Sequence, residues 1–276
     1  MRHEYTWVTP DGITIFAQYW EPETESKGVV NFIHGLGEHS GRYGDLAGEI
    51  TEQGYVFFTC DLRGSGKSGG KRGHTPSYEF LLNDIEHLLQ EARVRYPCKA
   101  QFLYGHSLGG NLTLNYVLRR RPDLKGVIVT SPWLKLTLDP PIFKIALGEI
   151  IDLFWPSFSQ HNGISARALS HDLQVVEEYQ RDPFVHNKIS VRLFFEAFRA
   201  GHWALDHHQE FSLPLLLMHG TEDGITSPQS SEDFAEGISQ CTLRLWPGQF
   251  HELHHEFIKE EFYKFIVSWL DSHRHL

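Results

Sequence analysis

Cysteine is scarce in this chain: three in 276 residues, at Cys60, Cys98 and Cys241. An odd number at wide spacing supports no disulfide framework and reads as free thiols in a reducing compartment. Positive charge is also short, with 25 Lys and Arg against 35 Asp and Glu and a formal net charge of −10. That balance argues against nucleic acid as a partner and against strong attraction to an anionic membrane surface. No apolar run reaches the length of a membrane-spanning helix. The opening M-R-H-E-Y-T-W-V-T-P-D-G holds no apolar leader, so the expected location is cytoplasmic or peripheral to a membrane. Internal repeats and low-complexity tracts are missing as well.

What remains is an ordinary globular composition, 41% hydrophobic and 22% charged, of a length that fits one large α/β domain or a domain with an insertion. Tyr5 to Val8 and Ile13 to Trp20 alternate in the strand manner around a Pro10-Asp11-Gly12 turn, which predicts an antiparallel hairpin. From Gly28 on, short apolar runs alternate with helix-period segments. The runs are 29–33, 55–59, 101–104, 127–129, 213–218 and 242–246. The helical patterns between them are 43–53, 77–96, 108–119, 228–237 and 256–271. This is the signature of a mostly parallel sheet flanked by helices. Between Pro132 and about Leu213 no strand is evident. That stretch reads as a helical insertion, and it divides the chain into a core at 1–132, an insert at 133–210 and a second core segment at 211–276.

Four stretches carry chemistry. Gly105-His106-Ser107-Leu108-Gly109 is a G-x-S-x-G between an apolar strand and a helical pattern, the context of a nucleophile elbow. The alternative is a glycine-rich turn with a chance serine. His34-Gly35-Leu36-Gly37 follows the strand V-V-N-F-I, where such folds place one oxyanion donor. Leu36 and Leu108 are therefore the candidate backbone N–H donors. Asp223, with Glu222 beside it, follows the strand L-P-L-L-L-M-H-G, where an acid reaches a histidine on the next loop. His251 follows the last strand after Pro247-Gly248, in a position suited to a general base. Ser107, Asp223 and His251 occur in the chain order of an α/β-hydrolase, unlike that of the other two large serine-protease folds.

Two patterns compete. His251-Glu252-Leu253-His254-His255 contains H-E-x-x-H, the zinc-peptidase pattern, which needs both histidines on one helix and a third ligand. Its adoption would leave the elbow, the oxyanion loop and the acid unexplained, so no metal is expected, and His254 and His255 read as solvated helix-start residues. R-G-S-G-K-S-G-G at 63–70 imitates a nucleotide loop. Asp61 stands where a P-loop needs glycine, however, and no helix follows directly. The expectation there is a flexible loop near the active site.

Taken together, H-G-L-G-E-H-S-G-R-Y (34–43), D-L-R-G-S-G-K-S-G-G-K-R-G-H (61–74), Y-G-H-S-L-G-G (104–110), S-P-W-L (131–134), H-G-T-E-D-G-I-T (219–226) and F-H-E-L-H-H-E (250–256) resemble the monoacylglycerol lipase and lysophospholipase branch of the α/β-hydrolases. A-L-S-H-D (168–172) and Y-Q-R-D-P-F-V-H (179–186) in the insert also resemble it, although His171 stands where arginine is frequent. The resemblance implies a cofactor-free serine esterase acting on a small lipid ester. In it Ser107 is the nucleophile, His251 the base and Asp223 the orienting acid, and the insert is a cap over the acyl pocket. Trp133, Phe143, Phe154 and Trp155 are candidate pocket-lining residues. The run 142–155 carries a narrow polar stripe at Lys144, Gly148-Glu149 and Asp152. It is expected either to pack on the core or to act as an apolar lid touching lipid aggregates. The other readings are a serine hydrolase of short non-lipid esters or peptide-like substrates, and more remotely the zinc peptidase.

Overall fold

The computed structural model describes residues 1–138 and 140–275. Asp139 in the expected insert, Leu276 at the end of the second core segment and the side chain of Ile142 lie outside the described residues. The sheet has eight strands: β1 (Arg2–Val8), β2 (Thr14–Trp20), β3 (Gly28–Ile33), β4 (Tyr55–Cys60), β5 (Ala100–His106), β6 (Gly126–Thr130), β9 (Leu215–Gly220) and β10 (Cys241–Trp246). Their spatial order is β1-β2-β4-β3-β5-β6-β9-β10. The β1–β2 and β2–β4 pairs are antiparallel, and every other pair is parallel.

Burial follows from that order. β3, β4, β6 and β9 are buried at every residue, because helices cover both faces, and this is why they read as unbroken apolar runs. Edge strand β1 instead alternates exposed and half-buried positions. Leu46, Ala47 and Ile50 of α1 (Gly44–Glu52) and Phe262, Ile266 and Leu270 of α8 (Lys259–His273) pack on one face. On the other lie α2 (Tyr78–Arg95), α3 (Leu108–Arg120), α6 (Val191–Asp206) and α7 (Pro228–Ala235).

The stretch between β6 and β9 contains α4 (Ile142–Phe154), β7 (Ser159–His161), α5 (Leu173–Arg181), β8 (Lys188–Ser190) and α6. The antiparallel β7–β8 ribbon departs from the all-helical expectation; strands of three residues are too short to show a period of two. α6 is bolted to the core: Asn111 Nδ2 donates to Ala197 O at 3.0 Å, and Asn115 Nδ2 to Ala200 O at 3.0 Å. α4 is attached through its polar stripe. Arg192 Nε donates to Asp152 Oδ1 at 2.7 Å, Arg199 pairs with Glu149, and a Cβ on Gly148 would lie 2.9 Å from the Phe195 ring. Gly148, Glu149 and Asp152 thus face α6 and turn the apolar arc outward. Among the described residues no helix is long and apolar enough to cross a membrane.

Two further expectations are corrected. The 61–74 segment is packed, not a flexible loop. Asp61 Oδ1 accepts from Ser40 N and Oγ, and Asp61 Oδ2 accepts from Lys67 N. Arg63 bridges Asp84 and Asp11. The last helix starts at Lys259, so His254 and His255 are not solvated helix-start residues. They lie in a 3-10 turn, Leu253–His255, with His254 1% exposed.

Candidate active site

β5 runs into α3 through one residue. Ser107 has φ 55° and ψ −116°, a left-handed backbone that costs a non-glycine residue on the order of 1–3 kcal/mol and is held here by its surroundings. Ser107 N donates to Thr130 O, and its carbonyl accepts from Trp133 N, both at 3.0 Å. The flanking glycines are required by close approach. A Cβ on Gly105 would stand 2.2 Å from Gly109 O, and one on Gly109 would stand 2.1 Å from Ile33 O. The elbow is thereby pressed against the loop after β3. Leu108 is the first residue of α3, where an amide has no carbonyl a turn earlier and positive potential accumulates.

Asp223 follows β9 and His251 follows β10, neighbouring parallel strands, so both reach the carboxyl edge beside Ser107. Ser107 Oγ lies 2.9 Å from His251 Nε2, and His251 Nδ1 lies 2.6 Å from Asp223 Oδ2. All three are buried. Asp223 Oδ1 accepts from Ile225 N and Thr226 N, and Oδ2 also accepts from Thr226 Oγ1. Burial opposes the charged carboxylate, but His251, His219 and their hydrogen bonds outweigh it and hold Asp223 well below the usual carboxylate range. Burial likewise opposes the imidazolium of His251, and Asp223 overcomes it, so His251 sits above the ordinary histidine value. Burial, reinforced by nearby His251, drives His106 down to about 3, so it remains a neutral ring beside the base.

Sequence reasoning missed two partners. His219 on β9 places Nε2 3.0 Å from Asp223 Oδ2 and Nδ1 2.7 Å from Ser231 Oγ; a histidine in an apolar strand gives no signal until its neighbours are known. Arg42 joins the loop after β3 to the loop after β10. Its guanidinium meets Glu38 at 2.6 Å and both oxygens of Glu252 at 2.7 Å, while Glu38 Oε1 accepts from Gly35 N and Tyr43 Oη. Contacts from 168–172 hold the loop after β10 as well, with Glu252 N donating to Leu169 O. His171 stacks on Phe250 and bonds Glu256.

The H-E-x-x-H geometry does not form, because His251 uses both ring nitrogens on Ser107 and Asp223 and lies outside any helix. Glu252, His254 and His255 do bring donor atoms within 4.8 Å of one another. A cation is already there: Arg42 Nη2 is 2.7 Å from Glu252 Oε2 and 3.3 Å from His255 Nδ1.

A cavity of about 50 Å³ opens at Ser107. Leu36, Ser107, Ile225 and Thr226 line it from the core, and Trp133, Leu136, Asn162, Ile164, Ile189 and Phe194 from the 131–194 stretch. Trp133 is where the sequence placed it. Phe143, Phe154 and Trp155 are not: they are 68%, 80% and 59% exposed on the outward arc of α4 and its end, because Gly148 and Asp152 take the inward side.

A mostly parallel sheet with helices on both faces, a serine elbow and an acid and a histidine after the last two strands defines an α/β-hydrolase. The family model of the serine aminopeptidases, S33, matches residues 24–257, and the chain belongs to this family. It is a serine carboxylic-ester hydrolase of the monoacylglycerol lipase type. The crystal structure of Paleococcus ferrophilus monoacylglycerol lipase superposes with a TM-score of 0.87 at 34% identity, covering 94% of this chain and 99% of that one. The monoacylglycerol lipase of Mycolicibacterium smegmatis is 27% identical over 99% of this chain and 98% of its own. An uncharacterized abhydrolase domain-containing protein of Dictyostelium discoideum is 38% identical over 95% of this chain, which spans 28% of that protein's length.

Proposed function

We propose that the protein releases a fatty acid from a single-chain lipid ester, a monoacylglycerol, through an acyl-enzyme on Ser107. The observation that carries this reading is the line from Ser107 Oγ to His251 Nε2 at 2.9 Å and from His251 Nδ1 to Asp223 at 2.6 Å. Ser107 Oγ attacks the ester carbonyl as His251 Nε2 takes its proton. The N–H groups of Leu36 and Leu108 hold the oxyanion. Collapse breaks the carbon–oxygen bond, and the departing alcohol takes the proton from His251. Water then gives a proton to His251 and attacks the acyl-enzyme, and the fatty acid leaves as Ser107 recovers its proton. No metal or cofactor enters these steps.

The residues lining the cavity are uncharged, which favours a neutral glyceryl head over a phosphocholine. The stretch 133–210 serves as the cap. A cavity this small does not hold an acyl chain, so lining residues from the cap move aside when substrate enters. Phe143, Leu147, Ile150, Leu153 and Phe154, all more than half exposed, form the face that meets a lipid aggregate.

The test compares fatty-acid release from a monoacylglycerol and a lysophosphatidylcholine of one chain length, with Ser107→Ala as control. Release by the unaltered protein, faster from the monoacylglycerol and reduced by several orders of magnitude in Ser107→Ala, is the expected result. Release that survives in Ser107→Ala overturns the mechanism.

A further inference from the structure

The cavity at Ser107 is almost wholly apolar, and its few polar side chains divide into two kinds. Ser107 and Thr226 are committed: Ser107 Oγ bonds His251, and Thr226 Oγ1 lies within hydrogen-bond reach of Asp223 and Ser131 O. Asn162 and Trp133 are not, since Asn162 Nδ2 and Trp133 Nε1 are buried N–H donors with no acceptor among the described residues. A buried donor left without an acceptor is unfavourable by about the energy of a lost hydrogen bond, so such groups in a binding site await a ligand atom.

Asn162 is the better placed of the two. It follows β7 at the tip of the ribbon, where Asn162 N donates to Asn187 O at 2.8 Å. Ile164 N donates to Asn162 Oδ1 at 3.1 Å. Only the amide oxygen can accept that bond, which fixes the orientation of the amide and leaves Nδ2 as a pure donor. That donor lies against the oxyanion loop: a Cβ on Gly37 would be 3.4 Å from Asn162 Nδ2 and 2.4 Å from His186 O. His186 N donates to Gly37 O at 2.8 Å, so the cap and the loop are joined at this point.

We propose that Asn162 is a specificity residue that donates from Nδ2 to a free hydroxyl on the alcohol half of the ester. The inference rests on the ester reading above and deepens it. An acyl chain offers no acceptor, and the carbonyl oxygen is served by the N–H groups of Leu36 and Leu108. The hydroxyls of a polyol ester are the acceptors that remain. Such a donor separates a glyceryl ester from an alkyl ester of the same acid, because the alkyl ester leaves Nδ2 unpartnered.

The experiment measures kcat/KM on a monoacylglycerol and on the methyl ester of the same medium-chain acid. The two share carbonyl and acyl chain and differ in the hydroxyls. Asn162→Leu keeps the shape and removes the donor; Asn162→Ser keeps an oxygen for Ile164 N but is one bond shorter, so its hydroxyl does not reach the position of Nδ2. The expected result is a loss of about tenfold or more on the monoacylglycerol, with the methyl ester within about twofold of the unaltered protein. The retained methyl-ester rate also reports that the variant folds. Equal losses on both esters in both variants, or no loss on either, overturn the proposal. A parent protein that turns over the methyl ester but not the monoacylglycerol overturns the monoacylglycerol reading and this proposal with it.

Discussion

His219 shares the Asp223 carboxylate with His251. Its Nε2 faces Asp223 Oδ2 at 3.0 Å, and a carboxylate only accepts, which places the ring proton on Nε2 and leaves Nδ1 to accept from the Ser231 hydroxyl at 2.7 Å. A donor on a carboxylate lowers its basicity and weakens its hold on the neighbouring imidazolium. In the proposed mechanism His251 must be neutral to take the proton of Ser107, and it sits above the ordinary value near 6.5. Activity therefore falls as pH drops through that raised value. Asp223 carries the facing charge, with Thr226 donating to it and neutral His106 packed on the ring. In His219→Leu the carboxylate grows more basic, and the acid limb of kcat/KM moves to higher pH, by up to about one unit. In His219→Gln, which keeps a donor, it moves less. A pH–rate profile checks this, and identical limbs in all three proteins refute it. Ser107, Asp223 and His251 were legible in the sequence because strand, turn and helix signals surround each. His219 was not, because its role depends on a strand end and a helix meeting in space.

Helix α4 reverses the usual arrangement of an amphipathic helix. Its small and acidic residues face the protein and its large apolar ones face outward, with Leu153 75% and Phe154 80% exposed. Period alone marks which residues share a face; it does not say which face looks inward. Phe143, Phe154 and Trp155 were candidates for the pocket as aromatic residues of the expected cap, and Gly148 against Phe195 turns them outward. Leu147→Glu together with Leu153→Glu is expected to lower sedimentation with phosphatidylcholine vesicles and turnover of aggregated monoacylglycerol, each by about tenfold, through lost apolar burial. Hydrolysis of a short soluble ester should be unchanged. A parallel loss on the soluble ester would place the helix in the pocket after all.

Across the whole molecule, Arg42 joins three parts: the oxyanion loop through Glu38, the base loop through Glu252, and the insert through Tyr179, whose ring its guanidinium overlies. Burial raises both carboxylates, but Arg42 outweighs it and holds Glu38 and Glu252 below the ordinary glutamate value. Depressed carboxylates stabilise above the unfolded value, near 4.5, and that contribution is lost as pH falls through the folded values. Arg42→Met leaves two buried charges uncompensated and is expected to cost about 3–5 kcal/mol in urea unfolding at neutral pH. The deficit should narrow as pH falls below about 4.5, where the parent loses the contribution of its depressed carboxylates; a deficit independent of pH would argue for lost packing instead. The mostly parallel sheet was readable in the chain, since it follows from short apolar runs. This ion-pair cluster was not, because Glu252 lies 210 residues from Arg42. The insert also contains a seam. It leaves β6 and returns at the adjacent strand β9, yet α6 stays fixed to α3 by Asn111 and Asn115. The exchangeable piece is therefore the stretch from about Leu136 to Ser190. A chimera cut there could take another family member's specificity while keeping the scaffold, whereas one cut at 133–210 would strip the cover from α3.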